Sequence, residues 1–396
     1  MKRFLDLADF SREEILDLLA LARHLEQHPE PRALAGKILG LVFFNPSLRT
    51  LASFQVGMMK LGGSSFVITP GQGTWQLESR LGAVMNGAAA EHIREGLPVL
   101  ASYADALGIR AFAEGKDLRH DLAETNFKAM ASVVEKPLIN LESAVNHPCQ
   151  ALADWKTLDD IAVPQRAKFV LSWANHPRVT PIAVPAATVH MAAQRGMEVV
   201  VLRPEGFALP PEIMDKARAA AAASGGSVRE TQDRSEALAG AHVLYAKEWG
   251  STTHYGDSAG DAALRANLAD WCVREDWFTG AAADCKFMHC LPVRRNVAVA
   301  DEVLDGPRSQ VIREILRSQA LHPSDAARDR RTPPRRREFM RPQRHGARAL
   351  KQFTDIVRTG DELRPALPDR PVAAGARRAV DRPRKTPRLA REIVDG

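Results

Sequence analysis

Residues 38–60 constrain the fold more than any other stretch. The apolar run Ile38-Leu39-Gly40-Leu41-Val42 reads as a buried strand, and Leu51–Lys60 can run as a helix. Between them lies Phe43-Phe44-Asn45-Pro46-Ser47-Leu48-Arg49-Thr50, whose Ser47–Thr50 reads as the turn. A buried strand feeding directly into a helix is the unit of a parallel α/β sheet. It sets Ser47–Thr50 where a strand's carboxyl end meets a helix's N-terminus. Free backbone N–H groups and the positive end of the helix dipole lie there. Two hydroxyls and a guanidinium added at that point suit a phosphate-like anion. The same residues also serve as an ordinary N-cap without any ligand, and the tetrapeptide alone leaves both readings open.

The rest of the chain repeats the alternation. Ser11-Arg12-Glu13-Glu14 is a capping box, with Phe10 and Ile15 at the staple positions, and it opens a helix over 12–27. Strands are expected at 37–44, 64–69, 107–112 and 137–141, with helices at 51–61, 90–106 and 122–134. A Gly-rich loop, Pro70-Gly71-Gln72-Gly73-Thr74-Trp75, interrupts this first set. A helix over 148–160 reads as a connector. A second set follows, with strands at 169–173, 198–202, 242–246 and 287–291 and helices at 182–195, 211–224 and 262–278. Strands alternating with helices predict an α/β chain of two doubly wound parallel-sheet domains, 1–150 and 151–314, with an active-site cleft between them.

The overall charge of +6 is misleading about partners. Residues 315–396 hold 21 of the 54 basic residues but only 10 of the 48 acidic ones, so the body of the chain is acidic. Nine of the 25 prolines also fall in that segment. It reads as a basic, Pro/Arg-rich tail unable to form a core, with a weak helix signal near 347–357. A tail with only Phe339 and Phe353 as aromatics argues against nucleic-acid binding. There is no run of 18 apolar residues, and no secretory segment is read at Met1–Ser11, so a soluble chain in a reducing cytoplasm is expected. Cys149, Cys272, Cys285 and Cys290 show no metal-ligand spacing.

Other polar residues fall at strand ends. Arg110 ends the apolar run Gly108–Phe112, where burial calls for an anion or a structural carboxylate. His147 and Gln150 flank a helix start and can donate to a carbonyl oxygen; a lone histidine is more often a satisfied, partly buried one. Cys290 lies beside His289, but a buried thiol is usually inert, and its backbone carbonyl can hold a substrate amine as well as its sulfur could. Lys247 could meet a substrate carboxylate or be a surface lysine. Trp75 could cover a site or anchor its own loop.

Ser47-Leu48-Arg49-Thr50, Arg110, His147-Pro148-Cys149-Gln150 and His289-Cys290-Leu291-Pro292, in this order, resemble the aspartate/ornithine carbamoyltransferase superfamily over residues 1–314. Phe43–Pro46, the Trp75 loop, Tyr245-Ala246-Lys247-Glu248-Trp249 and the run His289–Asn296 are most similar to its N-acylornithine branch. The resemblance implies transfer of the carbamoyl group of carbamoyl phosphate to the side-chain amine of N-acetylornithine, in arginine biosynthesis, with no cofactor and no metal. It implies that Ser47, Leu48, Arg49 and Thr50 hold the phosphate, and that Arg110, His147 and Thr50 polarise the carbamoyl oxygen. Gln150 and the carbonyls of Cys290 and Leu291 would orient the carbamoyl amide. Glu142 and Lys247 would contact the acylornithine, with Trp75 reaching in from a neighbouring subunit of a homotrimer.

The chain departs from the family's pattern at several points. Leu51 and Ala52 replace the usual residues after the phosphate motif. Ala90 stands where acetyl enzymes tend to have glutamate and succinyl enzymes proline, while Pro181 leans to the succinyl pattern. N-succinylornithine is therefore the alternative acceptor. The family's final Glu-Ala-x-Asn-Arg helix, whose arginine helps bind carbamoyl phosphate, is not recognisable after Glu314. Residues 315–396 are accordingly read as disordered, out of frame or a replaced terminus, with Arg317 the nearest substitute. An inactive binding protein is the reading from another class.

Overall fold

A computed structural model describes residues 3–318 of the chain, with side chains as far as Glu314. Helix α1 (Arg12–Gln27) begins on the expected capping box. The Ser11 hydroxyl accepts from the Glu14 N–H and the Glu14 carboxylate accepts from the Ser11 N–H. One end of α1 buries Ile15 and Leu19 in the core of the second sheet, and the other buries Leu21 and Leu25 in a core of the first.

The first sheet is built from β1 (Ile38–Phe43), β2 (Ser64–Ile68), β5 (Ala106–Arg110) and β6 (Leu138–Glu142), all parallel in the order β2-β1-β5-β6. Helices α2 (Arg49–Lys60), α3 (Ile93–Ser102), α4 (Leu118–Leu122) and α5 (Thr125–Ser132) belong to this half. A two-residue parallel pair, β3 (Leu77–Glu78) and β4 (Glu91–His92), pins the base of the loop that contains Trp75 and Ala90. Helix α6 (Pro148–Asp160) then leads to the second sheet, with the bounds expected for a connector.

That sheet has the order β11-β10-β7-β8-β9, again all parallel. Its strands are β7 (Lys168–Trp173), β8 (Glu198–Leu202), β9 (Ser227–Thr231), β10 (Val243–Lys247) and β11 (Lys286–Met288). The helices of this half are α7 (Ala183–Arg195), α8 (Pro211–Ser224), α9 (Arg234–Leu238), α10 (Ser258–Ala266), α11 (Asp301–Leu304) and α12 (Val311–Ser318). The α/β class and its two parallel sheets are as expected. Among the described residues no helix is long and apolar enough to cross a membrane.

Four expectations need correction. The helix expected over 122–134 is the shorter α5, which Glu124, at a left-handed φ of 52°, separates from the preceding α4. The one expected over 262–278 ends at Ala266, followed by two short 3-10 turns. Strand β9 was not expected, because its sequence Ser-Val-Arg-Glu-Thr is polar; it lies at the sheet edge, where only one neighbour must be satisfied. The domain limit at Glu314 falls inside α12, whose Val311 and Glu314 are buried. The proposed tail helix at 347–357, and the disorder or frame shift read into the rest of the tail, lie outside the described residues.

Candidate active site

Sheet register brings the first group of residues together. Phe43 pairs with Arg110, and Arg110 pairs with Glu142 across a register shift after Ile109. Without that shift Arg110 would face Leu141. The carboxyl ends of β1, β5 and β6 therefore meet, and Asn45 ties two of them by accepting from the Phe112 N–H at 2.7 Å. The turn 44–48 leads into α2, whose N-cap, Leu48, offers no side-chain bond. The Ser47 hydroxyl accepts from the Thr50 N–H at 3.2 Å. Arg49 is half-buried and makes no hydrogen bond or ion pair among the described residues. Burial lowers its pKa, as does nearby Arg110, but a guanidinium remains a cation.

Arg110 and His147 converge on one carboxylate. Arg110 Nη1 bonds to Glu142 Oε2, and His147 Nε2 lies 3.4 Å from the same oxygen. The Arg110 guanidinium also sits 4.5 Å over the Phe112 ring. Arg110 thus meets a carboxylate, as a buried arginine should, but that carboxylate is itself a residue expected in the site. Burial pushes His147 down to about 4 against a raising effect from Glu142, so its ring is neutral near pH 7. Its Nδ1 has no hydrogen-bond partner among the described residues.

The second group comes from the other sheet. Lys247 ends β10 and is buried, so the surface-lysine reading is wrong. Its Nζ donates to Glu248 Oε2 at 2.7 Å. Glu248 Oε1 lies 3.4 Å from His289 Nε2, and His289 Nδ1 accepts from the Leu291 N–H at 2.9 Å. Burial works to raise the Glu248 carboxyl, but Lys247 and His289 outweigh it and hold it well below the usual carboxylate range. Strand β11 is shorter than expected, so His289, Cys290 and Leu291 follow it as loop, with Leu291 at a left-handed φ of 53°. Burial pushes the Cys290 thiol up to about 12, which leaves it an inert side chain.

Both groups line one cavity of about 480 Å³. Its wall includes Ser47, Leu48, Arg49, Thr50, Arg110, Glu142, His147 and Gln150 from one side. Pro181, Lys247, Glu248, Cys290 and Leu291 complete it from the other. The structure does not bring Trp75 or Ala90 to the cleft of their own chain. Trp75 is 62% exposed, and its Nε1 donates to Glu91 Oε2 at 2.7 Å, beside exposed Ala90. Leu51, a departure from the family's pattern, packs partly buried against the first sheet's core. Sequence reasoning did not single out Glu248, His176, Thr180, Asp154 or the buried Glu314. For Asp154 a signal existed, because it lies four residues after Gln150 on the same helix.

A cleft with a helix N-terminus and two arginines on one wall and a lysine–carboxylate pair on the other defines an enzyme that brings an anionic donor to a second small molecule. The sequence profile of the aspartate/ornithine carbamoyltransferase carbamoyl-P binding domain matches residues 2–160, and that of the Asp/Orn binding domain matches 184–319. N-acetylornithine carbamoyltransferase of Xanthomonas campestris pv. campestris is 37% identical over 318 residues, 79% of this chain and 93% of that protein. N-succinylornithine carbamoyltransferase of Bacteroides thetaiotaomicron is 35% identical over 279 residues, 70% of this chain and 83% of that protein. A crystal structure of acetylornithine transcarbamylase complexed with acetylcitrulline superposes with a TM-score of 0.78 at 37% identity, covering 81% of this chain and 97% of that one. The chain belongs to the aspartate/ornithine carbamoyltransferase family.

Proposed function

We propose that the protein transfers the carbamoyl group of carbamoyl phosphate to the side-chain amine of N-acetyl-L-ornithine, giving N-acetyl-L-citrulline and phosphate, a step of arginine biosynthesis. The observation that supports it most is the single cavity joining Ser47–Thr50 to Lys247. The phosphate sits at the N-terminus of α2, on the N–H groups and side chains of Ser47, Leu48, Arg49 and Thr50, with Arg49 as its unpaired cation. Arg110, neutral His147 and the Thr50 hydroxyl polarise the carbamoyl oxygen and stabilise the negative charge that develops there. The uncharged amine attacks the carbamoyl carbon, the bond from that carbon to the phosphate oxygen breaks, and the departing phosphate takes the amine's proton. Positioning and electrostatics supply the acceleration. Lys247 meets the acceptor's carboxylate, and Glu142 leaves Arg110 for the acceptor as the donor arrives.

N-succinylornithine is the second reading. Pro181 lines the cleft, and position 90 has no carboxylate to repel a succinyl group. Point mutants of N-acetyl-L-ornithine transcarbamylase have been crystallised with carbamyl phosphate and N-succinyl-L-norvaline. Trp75 and Ala90 share one exposed loop, which supports a homotrimer in which this loop caps a neighbour's cleft. Sedimentation at about three times 43.4 kDa is the expected result, and a monomer would leave Trp75 without this role. The cytoplasm is the compartment this biosynthetic reading implies.

Rates of carbamoylation of N-acetylornithine, N-succinylornithine and ornithine, measured in parallel, test the assignment. An acylated acceptor is expected to outpace ornithine, and the faster of the two names the acyl group. Turnover of ornithine alone overturns the reading of Lys247. No turnover of any of them supports the inactive alternative.

A further inference from the structure

Beneath the cleft lie two buried acids that the reaction scheme above does not use. Gln150 Nε2 donates to Asp154 Oδ1 at 2.8 Å and to Glu314 Oε1 at 3.2 Å. Glu314 Oε2 accepts from the His289 N–H at 3.0 Å, and the Tyr245 hydroxyl lies 3.4 Å from Glu314 Oε1. Asp154, Glu314, Tyr245 and His289 are each fully buried. One carboxyl on α12 therefore ties the start of α6 to the loop after β11, and the other comes from the next turn of α6 itself.

Both hydrogens of the Gln150 amide face acids, so its orientation is fixed. The atom left for a ligand is the carbonyl oxygen Oε1, an acceptor only. We infer that Asp154 and Glu314 are positioning residues that lock the Gln150 amide with its oxygen toward the ligand, and so select a donor bearing an NH2 group over one bearing a methyl in its place. Glu314 acts twice, since it also holds the backbone at His289 just before the Cys290 and Leu291 carbonyls. Those two carbonyls are acceptors as well. With acceptors from Gln150, Cys290 and Leu291 on the cavity wall, the two hydrogens of a carbamoyl NH2 find partners where a methyl would offer none. The inference rests on the proposed function for the identity of the donor.

Burial raises both acids, Asp154 to about 7 and Glu314 well above its ordinary value, with the negative charge of Asp154 pushing Glu314 further the same way. Each acid is thereby pushed toward its neutral form, which eases the presence of two carboxyls in one small buried space.

Acetyl phosphate differs from carbamoyl phosphate by a methyl in place of the NH2, and inorganic phosphate lacks the acyl part altogether. Dissociation constants for all three, measured by calorimetry on the full chain, separate the possibilities. The wild type is expected to bind carbamoyl phosphate about tenfold or more tighter than acetyl phosphate, the discrimination of one well-placed hydrogen bond. Asp154→Leu should reduce that ratio to within about threefold while leaving phosphate affinity unchanged. Asp154→Asn, which keeps an acceptor for Gln150 and a donor for Glu314, should restore it. Glu314→Leu provides the same reading should Asp154→Leu not fold. Undiminished discrimination in the leucine variant overturns the inference, as does equal loss of phosphate affinity, which would mean general collapse. A wild type that binds phosphate but not carbamoyl phosphate overturns the functional reading instead.

Discussion

At the turn after β1 the cleft keeps a cationic group in reserve, whereas at the end of β10 it has closed its charges on one another. Arg49 makes no ion pair among the described residues, and the N-cap of α2, Leu48, has no side-chain bond to offer. Lys247, by contrast, is bonded to Glu248, which lies against His289. The two regions are equally part of one cavity, and both are built on parallel-strand ends. Under the proposed function the two regions receive their ligands differently. An open cluster of donors binds an anion by direct attraction. A closed pair binds only what can match the partner it displaces, so it provides selection more than attraction. Arg110 lies between the two cases, held by Glu142 until a ligand competes.

If that contrast is right, the open side is the more sensitive to loss of a charge. Arg49→Gln is expected to lower kcat/KM for carbamoyl phosphate about a thousandfold with little change in stability, by steady-state kinetics and denaturant unfolding. On the closed side, Lys247→Met leaves Glu248 buried with only His289 beside it, and should cost about 3 kcal/mol of stability. A Lys247→Met/Glu248→Leu double variant should regain most of it while still binding the acylated acceptor poorly. A double variant as unstable as the single one would break the comparison.

A smaller effect belongs to His147. Its folded pKa, about 4, lies below the ordinary 6.5, so the unfolded chain binds more protons between those values. The stabilisation is present above pH 6.5 and is lost as pH falls toward 4. Between pH 6.5 and 5 the loss should be about 2 kcal/mol, and His147→Gln should remove that part of the slope in pH-dependent denaturant titrations. Smallest of all, Cys290→Ala should keep kcat/KM within about threefold of wild type, because the thiol is held protonated and its backbone carbonyl remains.

The open side was the more legible in the sequence. A strand, a turn of Ser-Leu-Arg-Thr and a helix mark a place suited to an anion through local rules, which an ordinary N-cap satisfies as well. The bounds of α6 and α8 follow from prolines at their first positions and the sequences that end them. The closed side depends on contacts that no local pattern contains. Glu248 is read correctly only once His289, 41 positions later, is beside it. The link between Gln150 and Glu314 spans 164 positions. The shift that sets Arg110 against Glu142 is a sheet irregularity with no sequence mark. Trp75 and Ala90 could be assigned to a loop but not to a cleft, since the cleft proposed for them belongs to another copy of the chain.

A crystal structure with carbamoyl phosphate and N-acetylnorvaline, which lacks the attacking amine, tests the account most directly. The phosphate is expected on the Ser47–Thr50 turn beside Arg49, with Arg110 released from Glu142 and the acceptor's carboxylate on Lys247. A phosphate bound elsewhere, or an Arg110–Glu142 pair unchanged with both ligands present, would contradict it.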